Sequence, residues 1–167
     1  MPVPRFAERY EREFQTGKYY TLELVTERSR ESHNLYFACV HVALANLQAP
    51  LADRFADDDE FRKWCLIKRG FRHQRITVFS SNADAVLGAS VAQNLRDFSV
   101  TVVEDNVLTV LTAKTQKFRR NDPEGMDKKD FEASKEAVIE ECAVLIGLSV
   151  EQLVAEAKKQ MVRERGK

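Results

Sequence analysis

Six cations, Arg62, Lys63, Lys68, Arg69, Arg72 and Arg75, fall within fourteen residues that contain no acid, and His73 lies among them. A second group follows at Lys114, Lys117, Arg119 and Arg120, with Phe118 between. Cations at this density neutralise backbone phosphates and set nucleic-acid affinity largely without regard to base sequence. Phe71 and Phe118, where exposed, would add ring faces on which unpaired bases stack. The competing account of the same residues is a solvated surface together with a helix C-terminus, where the helix dipole favours Lys and Arg.

The whole chain hides this concentration, because its 167 residues balance 26 Lys and Arg against 26 Asp and Glu. By segment, residues 1–60 carry a net charge of −4, residues 61–120 carry +7 and residues 121–167 carry −3. The acids gather in turn at Asp57–Glu60 and along one helical ridge, Glu132, Glu136 and Glu140. Two function classes follow. One is a nucleic-acid binder, preferring single-stranded DNA, that uses the basic block. The other is a protein-binding inhibitor of a host nucleic-acid-associated complex, an anti-defence protein. A contiguous basic groove favours the first and a contiguous acidic ridge the second.

Catalytic groups are sparse. His33 and His41 lie two helical turns apart, without a carboxylate at ligand spacing to complete a metal site. Glu156-Ala-Lys158 falls on a helix, not on the strand that a nuclease arrangement would use. Glycine-rich phosphate loops, Gly-x-Ser-x-Gly elbows and Cys/His pairs do not occur in the sequence. The reading is a non-catalytic protein with no metal and no cofactor. Cys39, Cys65 and Cys142 sit in apolar helical stretches and read as buried free thiols of a reducing compartment. With no run of 18 apolar residues and no signal-peptide layout at the start, the expected location is the host cytoplasm, with no membrane partner.

The elements that position these residues read as α+β, a small and mostly antiparallel sheet covered by about six helices. Helical periodicity predicts a helix at 5–14, a long central helix from the Ser29 cap to about Leu47, and a helix opened by the acidic knot at Asp57 and ended by Gly70. Further helices follow from Ser81 or Asn82 to about Asp97, from Asp127 to Ile146, and from Ser149 onward. Strands are predicted at 19–27 and 76–79, and residues 100–111 form a hairpin turning at Glu104–Asn106. Residues 1–147 read as one domain. The helix in 148–167 packs back on it or serves an oligomer contact.

Several segments taken together carry a resemblance. Glu11-Arg-Glu-Phe-Gln-Thr-Gly-Lys18 leads to Arg28-Ser-Arg-Glu-Ser-His-Asn-Leu-Tyr-Phe-Ala38; later come Lys117-Phe118, Met126-Asp-Lys-Lys-Asp-Phe131 and Ile146-Gly-Leu-Ser-Val-Glu-Gln-Leu153. This order resembles small phage and prophage proteins of unassigned function and, more distantly, is similar to the NinB (Orf) recombination-mediator family of lambdoid phages. The resemblance implies a non-enzymatic homodimer that binds single-stranded DNA and assists recombinase loading. It points to the helix-start group Ser29, His33 and Asn34, which also reads as helix capping. The basic stretch from Arg62 to Arg75 and the charged tail after Leu153 match no motif of that family.

Overall fold

Residues 30–94, 98–115 and 126–165 are described by a computed structural model. The helix expected at 5–14, the strand expected at 19–27 and the Ser29 cap lie outside them, as do Lys117, Arg119 and Arg120. The described elements are α1 (Arg30–Ala45), α2 (Asp58–Lys68), β1 (Arg72–Val78), α3 (Asn82–Gln93), β2 (Ser99–Glu104), β3 (Val107–Ala113), α4 (Lys128–Leu145) and α5 (Val150–Arg165). The α+β class stands, with five α-helices among the described residues where about six were expected over the whole chain. None of these helices is long and apolar enough to cross a membrane.

The apolar residues of α1 wrap most of its circumference, and the structure uses them so. Tyr36, Cys39, Val40, Val42 and Ala43 are all buried, with α2, α4 and α5 packed around the helix. Each neighbour starts where a short polar side chain satisfies the backbone donors of its first turn. The Asp57 carboxylate accepts from the Glu60 amide at 2.9 Å, and Glu60 reaches back to the Ala56 amide at 2.8 Å. Asp127 accepts from the Asp130 amide at 2.7 Å. Ser149 and Gln152 form a reciprocal capping box at 3.2 and 2.8 Å. The turn before that box passes through Gly147 at φ 70°, and the Leu148 amide closes it onto Ala143. This hairpin folds α5 back on α1, so that Leu153 and Ala157 are fully enclosed.

The sheet has the order β1-β3-β2, antiparallel throughout. Its β2–β3 hairpin closes on Asp105 and Asn106, with Asp105 at φ 52°, a conformation that Asp and Asn tolerate. Ser81 caps α3, which lies across β2 and β3. The approach is close at Gly88, where a Cβ would come within 2.7 Å of the Phe79 ring and 3.3 Å of Leu108.

Four boundaries differ from the sequence reading. The long helix ends at Ala45 instead of about Leu47, and α3 ends at Gln93 instead of about Asp97. In the hairpin, β3 runs to Ala113 instead of Leu111. The most consequential difference is β1, which spans Arg72–Val78 instead of 76–79. Arg72, His73 and Arg75 lack the apolar alternation that marks a half-buried strand, yet they pair with Ala113, Thr112 and Val110 of β3. An edge strand open on both faces needs no such alternation.

Two outcomes follow from this packing. Leu153→Ala empties an enclosed site in the α1–α5 interface and is expected to cost about 2–5 kcal/mol in urea unfolding. Burial also pushes the Cys39 thiol up to about 11, and the hydrogen bond to Cys65 together with burial pushes Cys142 the same way. The folded state therefore favours neutral thiols. That contribution is intact below about pH 8.5, where an unfolded thiol ionises, and is lost as pH rises toward the folded value. At pH 8 a thiol reagent should leave Cys39 and Cys142 unmodified in the native protein and label both in urea, and unfolding free energy should fall between about pH 8.5 and 11.

Candidate nucleic-acid interface

The basic run is divided by its neighbours. On α4, Glu141 carries a carboxylate whose side chain is 7% exposed. Burying a carboxylate is costly unless a cation lies beside it. Lys68 supplies one, its Nζ 2.6 Å from Oε1, and Arg69 Nη1 lies 3.8 Å from Oε2. Oε1 accepts no hydrogen bond of good geometry, so its stabilisation is the nearby ammonium charge. Arg69 also donates to Glu140. The ammonium of Lys68 sits 5.0 Å from the centre of the Trp64 ring. The last turn of α2 is thus stapled to α4, and α4 brings two of its acids to meet it.

The first turns of α2 behave similarly. Arg62 pairs with Asp59 at 2.6 Å and Lys63 with the same carboxylate at 2.9 Å, both on the helix's own surface. The guanidinium of Arg62 also lies 5.7 Å from the centre of the Phe37 ring. Partial burial works to raise the Asp59 pKa, but hydrogen bonds from Arg62 and Lys63 outweigh it and hold the carboxyl below its usual range. Four of the six cations are therefore engaged by acids. The acidic ridge is interrupted by the same pairing, with Glu140 on Arg69 and Glu132 on Lys135 at 2.6 Å. The two blocks interlock, and neither forms the uninterrupted ridge or groove that the sequence leaves open.

What remains is on the sheet edge. Facing residues of an antiparallel pair share a face. His73, Arg75 and Thr77 therefore stand on the face of Thr112, Val110 and Leu108, while Arg72, Gln74, Ile76 and Val78 stand on the opposite one. Lys114, whose amide donates to the Phe71 carbonyl at 2.9 Å, continues the β3 alternation on the Thr112 side. Arg75, His73 and Lys114 thus occupy one face and Arg72 the other, where its Nη1 reaches the Ile67 carbonyl at 3.3 Å. Arg72 and Arg75 are exposed, His73 and Lys114 half-buried. Phe71 packs partly against the core, which limits its ring as a stacking platform. The outer edge of β1 has no strand partner among the described residues. Ile76 and Val78 are 59% and 69% exposed.

A second place was not legible in the sequence. His41 Nδ1 lies 2.8 Å from Asp58 Oδ2, joining α1 to the first turn of α2. This pair lines a half-open cavity of about 470 Å³ with Asn34 and Phe37 of α1 and Gln160 and Met161 of α5. His33 is instead turned against the Phe37 ring, 4.8 Å between centroids, so the two histidines serve different neighbours. Seventeen positions separate His41 from Asp58, on different helices, and only the helix crossing brings them together.

No protein-family model, curated protein or solved structure matches the chain.

The division of the basic run is testable by stability. Lys68→Met leaves the buried Glu141 carboxylate with only the more distant Arg69 and is expected to cost about 1–3 kcal/mol in urea unfolding. Adding Glu141→Gln to that variant should recover part of the loss, giving a positive coupling in the double-mutant cycle.

Proposed function

We propose that the protein is a non-catalytic accessory protein of phage DNA metabolism that binds single-stranded nucleic acid along the β1 edge. The observation that carries this reading is the set of edge-strand cations that form no ion pair among the described residues. Arg75 and Lys114 stand on the face of His73 where β1 begins and β3 ends, and Arg72 stands on the opposite face of the same edge. Lys117, Arg119 and Arg120 follow Lys114 by three to six positions in the chain. Strand residues two apart are spaced about 6.6 Å, which sets the distance from His73 to Arg75 along one face. The resemblance to recombination mediators points to the same ligand class. Net neutrality fits an oriented local patch and disfavours indiscriminate attraction to polyanions.

Ile76 and Val78 favour a second reading. Exposed and alternating on an edge strand, they suit an extended acidic segment of a partner protein added to the sheet. That is the form an inhibitor of a host complex would take here.

Fluorescence anisotropy with a labelled single-stranded oligonucleotide separates the two. Three phosphate contacts give a slope of log K against log salt of about −2, and all six cations about −4. The lower figure means roughly fifteenfold weaker binding between 50 and 200 mM salt. Arg72→Glu combined with Arg75→Glu should abolish most of the affinity, while Arg62→Gln should change it little. Binding that is absent or independent of salt would overturn the nucleic-acid reading and leave the strand-addition one.

A further inference from the structure

We infer that the outer face of α3 is a self-association surface, on which a second copy of this chain packs its own α3 antiparallel. Large and small apolar residues are placed on this helix in the reverse of what a water-facing helix needs. Its inward residues, Ala85, Ala89 and Ala92, are small and buried, and Gly88 lets the helix lie close to the sheet. Ala83, Val86, Leu87, Ser90, Val91 and Asn94 recur at i, i+3, i+4, i+7, i+8 and i+11, so they form one stripe, and all are exposed. Val86, Leu87 and Val91 are 52%, 65% and 58% exposed. A surface helix carries polar residues on its outer side, whereas a helix apolar on both sides is one that becomes covered. The two polar members do not oppose covering. Ser90 Oγ donates to the Val86 carbonyl at 3.2 Å and Asn94 Nδ2 to the Ser90 carbonyl at 2.7 Å, so both side chains are turned back onto their own helix.

Charge and shape select the occupant. No residue of the stripe is charged, and Asp84, the one charge of α3, stands at its flank and accepts from Ser80 and Ser81. A charged partner surface would be desolvated there without a counter-charge, so the matching face is itself uncharged. A two-fold axis across the middle of the helix supplies such a face. It sets Val86 against Val91 of the second copy, Leu87 against Ser90 and Ala83 against Asn94. The large Leu87 then lies over the small Ser90 twice, and the positive end of each helix dipole adjoins the negative end of the other. Parallel packing would instead set Leu87 on Leu87 and like dipole ends together. The antiparallel contact closes at two copies, whereas α3 seated on the exposed Ile76 and Val78 of another copy would make an open-ended chain. A helix of 12 residues is about 18 Å long, so the interface is small and the association weak and reversible. The helix expected from the sequence to serve an oligomer contact, α5, has Leu153 and Ala157 enclosed against α1 instead. Because α3 lies across β2 and β3, the pairing does not use β1 and does not rest on the nucleic-acid reading.

The experiment is sedimentation equilibrium of the full chain between about 10 µM and 1 mM, joined to a cross-linking test of orientation. The wild type is expected to pass from monomer to dimer over that range. Leu87→Glu, a change at an exposed position, should raise the dissociation constant at least about tenfold. For orientation, Ala83→Cys and Asn94→Cys variants are oxidised with glutathione disulfide, singly and mixed, the native cysteines being buried. Antiparallel pairing brings position 83 of one copy to position 94 of the other and holds like positions about 16 Å apart along the helix, beyond disulfide reach. The mixture should therefore give a covalent dimer and each variant alone should not. Arg72→Glu with Arg75→Glu should leave self-association unchanged even when it loses the oligonucleotide. Overturning results are a wild type that stays monomeric throughout, a dissociation constant unchanged in Leu87→Glu, assemblies larger than two copies, or a mixture that cross-links no more than its components.

Discussion

The buried carboxylate of Glu141 determines how the basic stretch is used. A carboxylate that is 7% exposed is costly without a counter-charge, and the last turn of α2 supplies Lys68 and Arg69. That demand joins α2 to α4, and the pair of Arg69 and Glu140, 71 positions apart in the sequence, completes the seam. It takes those cations from the pool available to an external polyanion. The excess positive charge of the middle of the chain is thus partly structural, and its functional remainder shifts outward to the sheet edge.

α2 organises both candidate sites because it is polarised from end to end. Its first turn holds Asp58, Asp59 and Glu60 and its last turn Lys68, an arrangement that the helix dipole favours. At the acidic end Asp58 holds His41 in the cavity wall, and at the basic end Gly70, at φ 89°, turns the chain into β1. Arg72 and Arg75 then lie on an edge strand with both faces open. Charged side chains at such an edge discourage indiscriminate strand pairing. The same side chains give a phosphate backbone or an acidic segment something specific to meet. The exposed Ile76 and Val78 beside them show why that protection matters.

Local chemistry was legible in the sequence. Asp57, Ser81, Asp127 and the Ser149–Gln152 pair each open a helix through the hydrogen bond their side-chain types predict. The Asp105–Asn106 turn closes the hairpin, and the three cysteines are buried thiols. These features depend on spacings of a few residues. What escaped depends on tertiary contact. The extent of β1 is set by the ladder that β3 offers, which the composition of the basic run does not reveal. The grouping of Arg62 to Arg75 was visible as a count, but the acids that neutralise its first two-thirds lie either a turn away on the same helix or far along the chain on α4. The His41–Asp58 pair left no periodic signal at all.

The most direct test of this partition is to follow the side-chain Nε–H resonances of Arg62, Arg69, Arg72 and Arg75 while single-stranded DNA is titrated in. The account predicts that Arg72 and Arg75 shift and saturate together while Arg62 and Arg69, held by Asp59 and Glu140, stay in place. A shift of Arg69 equal to that of Arg75 would show the α2–α4 seam opening to the ligand, and would contradict the division of the basic stretch into a structural and a functional half.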